Sequence, residues 1–234
     1  HVQIISAQVT SIDLTADEAL QMCNSGRGNA YPLTDIPTYY GFINYYKLDE
    51  SSGNASDVIG NNTLVNTGCT YAAGKINNGV TFGTKLLSSV FPNLGTGDWT
   101  FNMWYKSSTT GTNKALAIFG NSAQATNTTM YLYTTTGNAI ALDTAGAGIL
   151  TSSNTSSLDG NWHMLTITKT GNNFVMYIDN VSVATGTRAS INLGTTVLSV
   201  GYDNPNSRWS WVGMLDEVSI CARALSTPDI TGQF

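Results

Sequence analysis

The sequence predicts an all-β sandwich or jelly roll over most of its 234 residues. Three observations predict it. From Tyr39 onward, short runs of alternating apolar and polar residues follow one another at close spacing. Clusters of Gly, Asn and Asp punctuate them, as strand-to-strand turns require. The runs are not separated by segments of helical period, as parallel α/β units would be.

The first 38 residues read differently. Val2 to Val9 form an extended run. A capping box follows, with Thr15 as N-cap and Glu18 at N3, predicting a short helix to about Asn24 that Gly26 and Gly28 stop. Tyr31-Pro32 to Pro37 is linker-like. The expected organisation is an N-terminal strand–helix arm, residues 1–38, and a β domain, residues 39–234. The arm lacks a core of its own and is expected to dock on this domain or on a neighbouring subunit. A similar Leu, hydroxyl and acid pattern recurs at Leu225-Ser226-Thr227-Pro228-Asp229, which predicts a helix cap after the last strand and gives a second reading of the arm, as the closing strand and helix of a preceding repeat.

Strands are predicted at 42–48, 80–88, 99–106, 116–119, 129–134, 139–143, 162–169, 174–178, 181–184, 197–200 and 211–221. Turn sequences separate several of them: Asp49-Glu50-Ser51-Ser52-Gly53, Thr136-Gly137-Asn138, Asp159-Gly160-Asn161 and Gly171-Asn172-Asn173. Asp179-Asn180, between two alternating runs, reads as a tight hairpin turn. The last strand breaks its own parity. Trp211, Gly213 and Leu215 keep a period of two, as do Val218 and Ile220, but Leu215 to Val218 is a step of three. One face stays buried across an odd step only if the strand bulges or flips there, and Asp216 and Glu217 sit at that step.

Composition excludes some functions. Charged residues make up 11% of the chain, against roughly 25% in ordinary soluble domains. The net charge of -5 argues against nucleic acid or an anionic membrane surface as a partner. No apolar run approaches the ~18 residues of a membrane span. Cys23, Cys69 and Cys221 are too few and too scattered for a disulfide framework. The chain opens at His1, so an upstream segment is expected.

Five motifs occur in order along the chain. They are Tyr46-Lys47-Leu48-Asp49-Glu50-Ser51-Ser52-Gly53, Ala73-Gly74-Lys75-Ile76 with Val80-Thr81-Phe82, Trp99-Thr100-Phe101-Asn102-Met103-Trp104, Asp159-Gly160-Asn161-Trp162-His163, and Leu215-Asp216-Glu217-Val218. Together they resemble the laminin-G-like, concanavalin A-like lectin/glucanase jelly-roll superfamily, from about Tyr39 to Phe234. That superfamily includes lectins, glycosidases, adhesion modules and structural decorations, so the resemblance implies a fold more than a function. Domains of this kind often hold one Ca²⁺ near the sheet rim, on an Asp of an early loop and the Asp of the late D-E-V strand. Carried over, this implies a site of Asp57, carbonyls near Asn61, and Asp216. Val58 and Ile59 depart from the small polar residues usual in the early loop. A second reading needs no metal: Asp216 or Glu217 accepts backbone N–H bonds at the bulge, or pairs with Arg223.

Aromatic residues supply the other candidates. Trp99, Trp104 and Trp162 open or close alternating strands, Trp211 falls on the inward parity of its strand, and all four are expected in the core. Tyr39, Tyr40, Tyr131, Tyr133, Tyr202 and Trp209, with Arg208 beside it, are candidates to stack on a sugar ring or to meet a protein partner. Catalysis is not expected. Adjacent acids on a regular strand point to opposite faces and do not flank a glycosidic bond. No Gly-x-Ser-x-Gly elbow is present, and His1 and His163 are the only histidines. The expected function is therefore a non-catalytic structural, decoration or adhesion module on the exterior of a virion, filament or cell, assembled through residues 1–38. The alternative is a Ca²⁺-supported lectin module for surface glycans, with a glycoside hydrolase behind both.

Overall fold

Trp99, Phe101, Met103 and Tyr105 are buried and face one way along their strand, and this parity organises the middle of the molecule. A computed structural model describes residues 41–60, 62–83, 85–88, 92–120, 126–145, 147–194 and 197–233. The compact unit that holds them begins at Gly41. The expected arm of residues 1–38, Cys23, Tyr39, Tyr40 and Asn61 lie outside the described residues.

Fifteen strands are described: β1 (Phe42–Tyr46), β2 (Val65–Thr67), β3 (Thr70–Ala73), β4 (Asn78–Thr81), β5 (Lys85–Ser88), β6 (Trp99–Lys106), β7 (Lys114–Gly120) and β8 (Thr129–Thr134), then β9 (Ile140–Thr144), β10 (Ala147–Thr151), β11 (Trp162–Thr170), β12 (Asn173–Ile178), β13 (Val181–Thr187), β14 (Val197–Val200) and β15 (Met214–Cys221). Helix α1 (Thr227–Gln233) follows them. One sheet runs β13-β12-β11-β6-β15-β4-β3, with β1 also paired to β15; the other runs β10-β9-β8-β7-β14-β5-β2. Every pairing is antiparallel.

The core lies between the two sheets, and aromatic rings bind it across the gap. Phe119 of β7 stacks on Phe101 of β6 with ring centroids 5.0 Å apart, and meets Trp99 edge-on at 5.5 Å. Trp99 also meets Phe174 of β12 at 5.9 Å. Trp211, just before β15, is in this core as its parity predicts. Trp104 is buried outside the main cluster, with the Lys75 ammonium 4.1 Å from its ring centre. Trp162 is half-buried, a correction to its expected core position that follows from its place at the open end of β11.

Some strands were not legible as they stand. The run 80–88 read as one strand; it is two, β4 and β5, in different sheets. Gly83 lies at the crossover, where an added Cβ would come 2.2 Å from the Gly68 carbonyl oxygen, so the backbones meet too closely for a side chain. β2 and β3 are short and largely exposed, and β10 has no clean alternation, so none carries a periodic signal. The helix cap is as expected. Ser226 Oγ donates to the Asp229 carboxylate at 2.9 Å, and the Ser226 amide donates to it at 3.1 Å.

The parity break of β15 is a bulge. Leu215 and Val218 both face the core, the pairing with β6 shifts register between Asp216 and Ser219, and Glu217 takes a left-handed φ of 52°. It falls where β15 changes partner along one edge. Met214 and Leu215 pair with β4, and Val218 to Cys221 pair with β1. The extra residue re-aims the chain at that handover.

Candidate functional site

The outer face of the seven-stranded sheet carries its own apolar cluster. Met130 and Leu132 of β8 point into the main core, so Tyr131 and Tyr133 between and beyond them point outward. Tyr131 packs with Ala115 and Ile118 of β7, and Tyr133, Ala145 and Trp209 pack against that group. Tyr131 pairs across the ladder with Asp143 of β9. The Tyr133 hydroxyl reaches diagonally to donate to Asp143 Oδ2 at 2.6 Å.

A loop after β14 closes the other side. Asp203, fully buried, is its organiser. One oxygen accepts from the Asn206 amide N–H at 3.3 Å and from Asn206 Nδ2 at 3.0 Å. The other accepts from Asn206 Nδ2 at 2.9 Å and from Arg208 Nε at 2.8 Å. Backbone bonds join Asp203 and Arg208 in both directions, at 3.0 and 3.2 Å. The loop ends on Trp209 at φ 58°, a conformation that a bulky side chain rarely takes and that costs on the order of 1–3 kcal/mol. The Ala115 amide donates to the Trp209 carbonyl at 2.8 Å, which ties this strained residue to β7.

Loop and sheet thereby build a stack. The Trp209 and Tyr133 rings lie 5.0 Å apart at 27°, and the Arg208 guanidinium carbon is 3.8 Å from the Trp209 ring centre. They line an open cleft of about 280 Å³ with Tyr131, Asp143 and Asn206. The phenols stay protonated there. Burial raises the pKa of Tyr133, and the hydrogen bond and charge of Asp143 raise it further. Burial raises Tyr131 as well, with the Asp203 charge adding to it.

Of the residues expected to meet a glycan or partner, the structure brings together Tyr131, Tyr133, Arg208 and Trp209. Tyr202 is apart from them; it does not line the cleft, and the Lys85 ammonium lies 5.3 Å from its ring centre. Sequence reasoning missed Asp143, Asn206 and Asp203. The Asp203-Asn204-Pro205-Asn206 turn signal was visible, but the pairing of Tyr131 with Asp143 is a long-range fact of register.

The acidic candidates occupy other places. Asp216, fully buried, accepts backbone N–H bonds from Lys75 at 2.8 Å, Ile76 at 3.0 Å and Glu217 at 2.9 Å. It holds the β3–β4 turn against the bulge. Burial raises its pKa to about 8 against the pull of those bonds, with the Glu217 charge adding to the rise. Glu217 accepts from the Tyr45 hydroxyl, which ties β15 to β1; burial raises its pKa to about 7. Arg223 pairs with Asp229 at 3.0 Å. Asp57 accepts from the Tyr45 amide at 2.9 Å, the Ile59 amide at 3.2 Å and the Asn44 side-chain amide. Among the described residues, no group of three or more His, Cys, Asp and Glu is arranged to hold a metal ion. Cys221 is a buried free thiol, and no described helix is long and apolar enough to cross a membrane.

Solved structures of the same fold are recognisable. The binding domain of Paraclostridial mosquitocidal protein 1 superposes with a TM-score of 0.64 at 16% identity, over 82% of this chain and 51% of that one. Domain 4 of AbnA, an extracellular GH43 arabinanase from Geobacillus stearothermophilus solved with arabinotriose, gives 0.62 at 15%, over 81% and 96%. A Trypanosoma rangeli sialidase gives 0.62 at 12%, over 82% and 32%. The chain thus spans about half of the toxin domain and a third of the sialidase. At these identities the likeness is one of fold. No curated protein matches the sequence. Residues 74–231 match the family described as the concanavalin A-like lectin/glucanases superfamily, as the five motifs implied. With more than half of its length in that match, and with two antiparallel sheets around one core, the chain belongs to the concanavalin A-like lectin/glucanase superfamily.

Proposed function

We propose that the chain is a non-catalytic carbohydrate-binding module that recognises surface glycans through the Tyr133–Trp209–Arg208 cleft. One observation carries this reading: an aromatic pair, a guanidinium and a carboxylate converge on one open cleft, held by a loop strained at Trp209. Sugars combine apolar ring faces with dense hydroxyls, and such a cleft offers partners for both. A non-catalytic role is supported by the acids. Hydrolysis of a glycosidic bond by the usual route takes two carboxyl groups about 5–10 Å apart across the substrate. Among the described residues Asp143 is the only carboxylate lining the cleft, and Asp203 is fully buried and bonded to Asn206 and Arg208. The arabinotriose complex of a domain of this fold supports the choice of ligand class. An exterior location, where glycans are displayed, goes with it.

The test is a glycan array probed with the full chain, Trp209→Ala and Arg208→Ala. Glycan signals that fall about tenfold or more in both variants, measured at a temperature where each is folded by circular dichroism, are expected. Absence of any glycan signal from the wild-type chain overturns the reading, as does full retention in both variants.

A further inference from the structure

The cleft's charges and free polar atoms specify a ligand chemistry, on the reading that it binds glycans. We propose that it takes a neutral sugar unit through two adjacent hydroxyls, bridging Arg208 and Asp143, and discriminates against acidic sugars.

Arg208 is a fixed fork. Its Nε is bonded to the fully buried Asp203, and its plane lies against Trp209. Its two terminal nitrogens have no acceptor among the described residues, and half of the side chain is exposed. Asp143 is its counterpart. Oδ2 accepts the Tyr133 hydroxyl, while Oδ1 has no donor among the described residues. The neighbouring strand leaves that oxygen room: Gly148 pairs with Asp143, and even an added Cβ there would stand 3.5 Å from Oδ1. Both side chains line the cleft, which therefore has donors on an Arg208 wall and an acceptor on an Asp143 wall. A hydroxyl both accepts and donates, so two adjacent hydroxyls satisfy both walls. A sugar carboxylate only accepts, so that group can take the place of a hydroxyl at Arg208 but not at Asp143.

The charges point the same way. Among the described residues the cleft has one guanidinium, already matched by Asp203 at 2.8 Å, whereas Asp143 is matched only by a neutral phenol. An entering carboxylate meets a cleft with one net negative charge, on a chain of net charge -5.

The experiment compares matched glycans that differ only at the terminal unit: a neutral hexose, a sialic acid or a uronic acid. Wild type and Asp143→Asn are measured by calorimetry and on an array. Asparagine keeps an acceptor for the Tyr133 hydroxyl and removes the charge. The wild-type chain is expected to bind the neutral members at least tenfold more tightly than the acidic ones. Asp143→Asn is expected to weaken the neutral ligands and to narrow that ratio about tenfold. Equal or tighter binding of acidic members, still lost in Trp209→Ala, overturns this inference and leaves the glycan-binding reading standing. An unchanged ratio in Asp143→Asn overturns it as well. Binding of no member by the wild-type chain overturns both.

Discussion

Asp216 and Glu217 are two buried carboxyl groups in consecutive positions, and their environments give them different tasks. Asp216 takes three backbone donors and anchors the β3–β4 turn; Glu217 takes a phenol and anchors β1. Burial is the leading cause of both raised pKa values, to about 8 and about 7. For Glu217 this fixes the sign of a pH dependence. Between its ordinary value of 4.5 and about 7, the native state holds a proton that the unfolded state has released. Stability is then present at low pH and declines as pH rises through that window. Glu217→Gln, which keeps the neutral form at every pH, is expected to flatten the decline by on the order of 2–3 kcal/mol. Urea denaturation at pH 5, 6, 7 and 8 measures it, and parallel profiles for wild type and variant would contradict the assignment.

At the scale of elements, single side chains tie loops to strands. His163 of β11 is the clearest case. Its Nδ1 lies 2.6 Å from Asp179 at the β12–β13 turn and its Nε2 lies 3.1 Å from Asp159 in the loop before β11. Asp179 also accepts the Met164 amide at 2.9 Å, so one carboxylate serves ring and backbone together. Burial alone would lower the histidine pKa, but the bonds to Asp179 and Asp159 outweigh it and the net shift is upward. The stabilising contribution of protonated His163 is thus full below about 6.5 and is lost as pH rises through the raised value. The protection factors of the hairpin amides Ile178–Val181, corrected for the intrinsic pH dependence of exchange, are expected to fall above that pH in the wild type. In His163→Gln the same protection factors should not respond to this titration; a titration that persists in the variant would assign it elsewhere.

At the scale of the whole molecule, the sandwich is held by aromatic rings interlocked across its two sheets. Phe119 is central, contacting Phe101 and Trp99 from the opposite layer. Phe119→Ala is expected to cost about 3–5 kcal/mol through lost transfer energy and the cavity left behind, read as a lower midpoint in chemical denaturation. Binding should persist at temperatures where the variant remains folded, because the cleft lies on the outer face of β8 and β9, away from this core. The same architecture explains the site's location. One face of the seven-stranded sheet supplies the core, and the other is left to carry Tyr131, Tyr133 and Asp143.

The all-β class, most strands, the family and the parity break at Asp216 and Glu217 are legible in the sequence. The class, the strands and the parity break rest on local information: short alternating runs, turn residues, and a step of three where two was expected; the family rests on five motifs in order along the chain. The sequence also marked Tyr131, Tyr133, Arg208 and Trp209 as aromatics and a cation not absorbed by core parity. Only the tertiary structure decided that these four meet, that Tyr202 stands apart, and that Asp143 and Asp203 complete the cleft. The strand run 80–88 shows the same boundary, since its division between two sheets depends on Gly83 passing close to Gly68. The physical reason is common to all of them. Period and propensity are properties of neighbours in the chain, whereas register between strands and close approach of backbones are set by residues far apart in it.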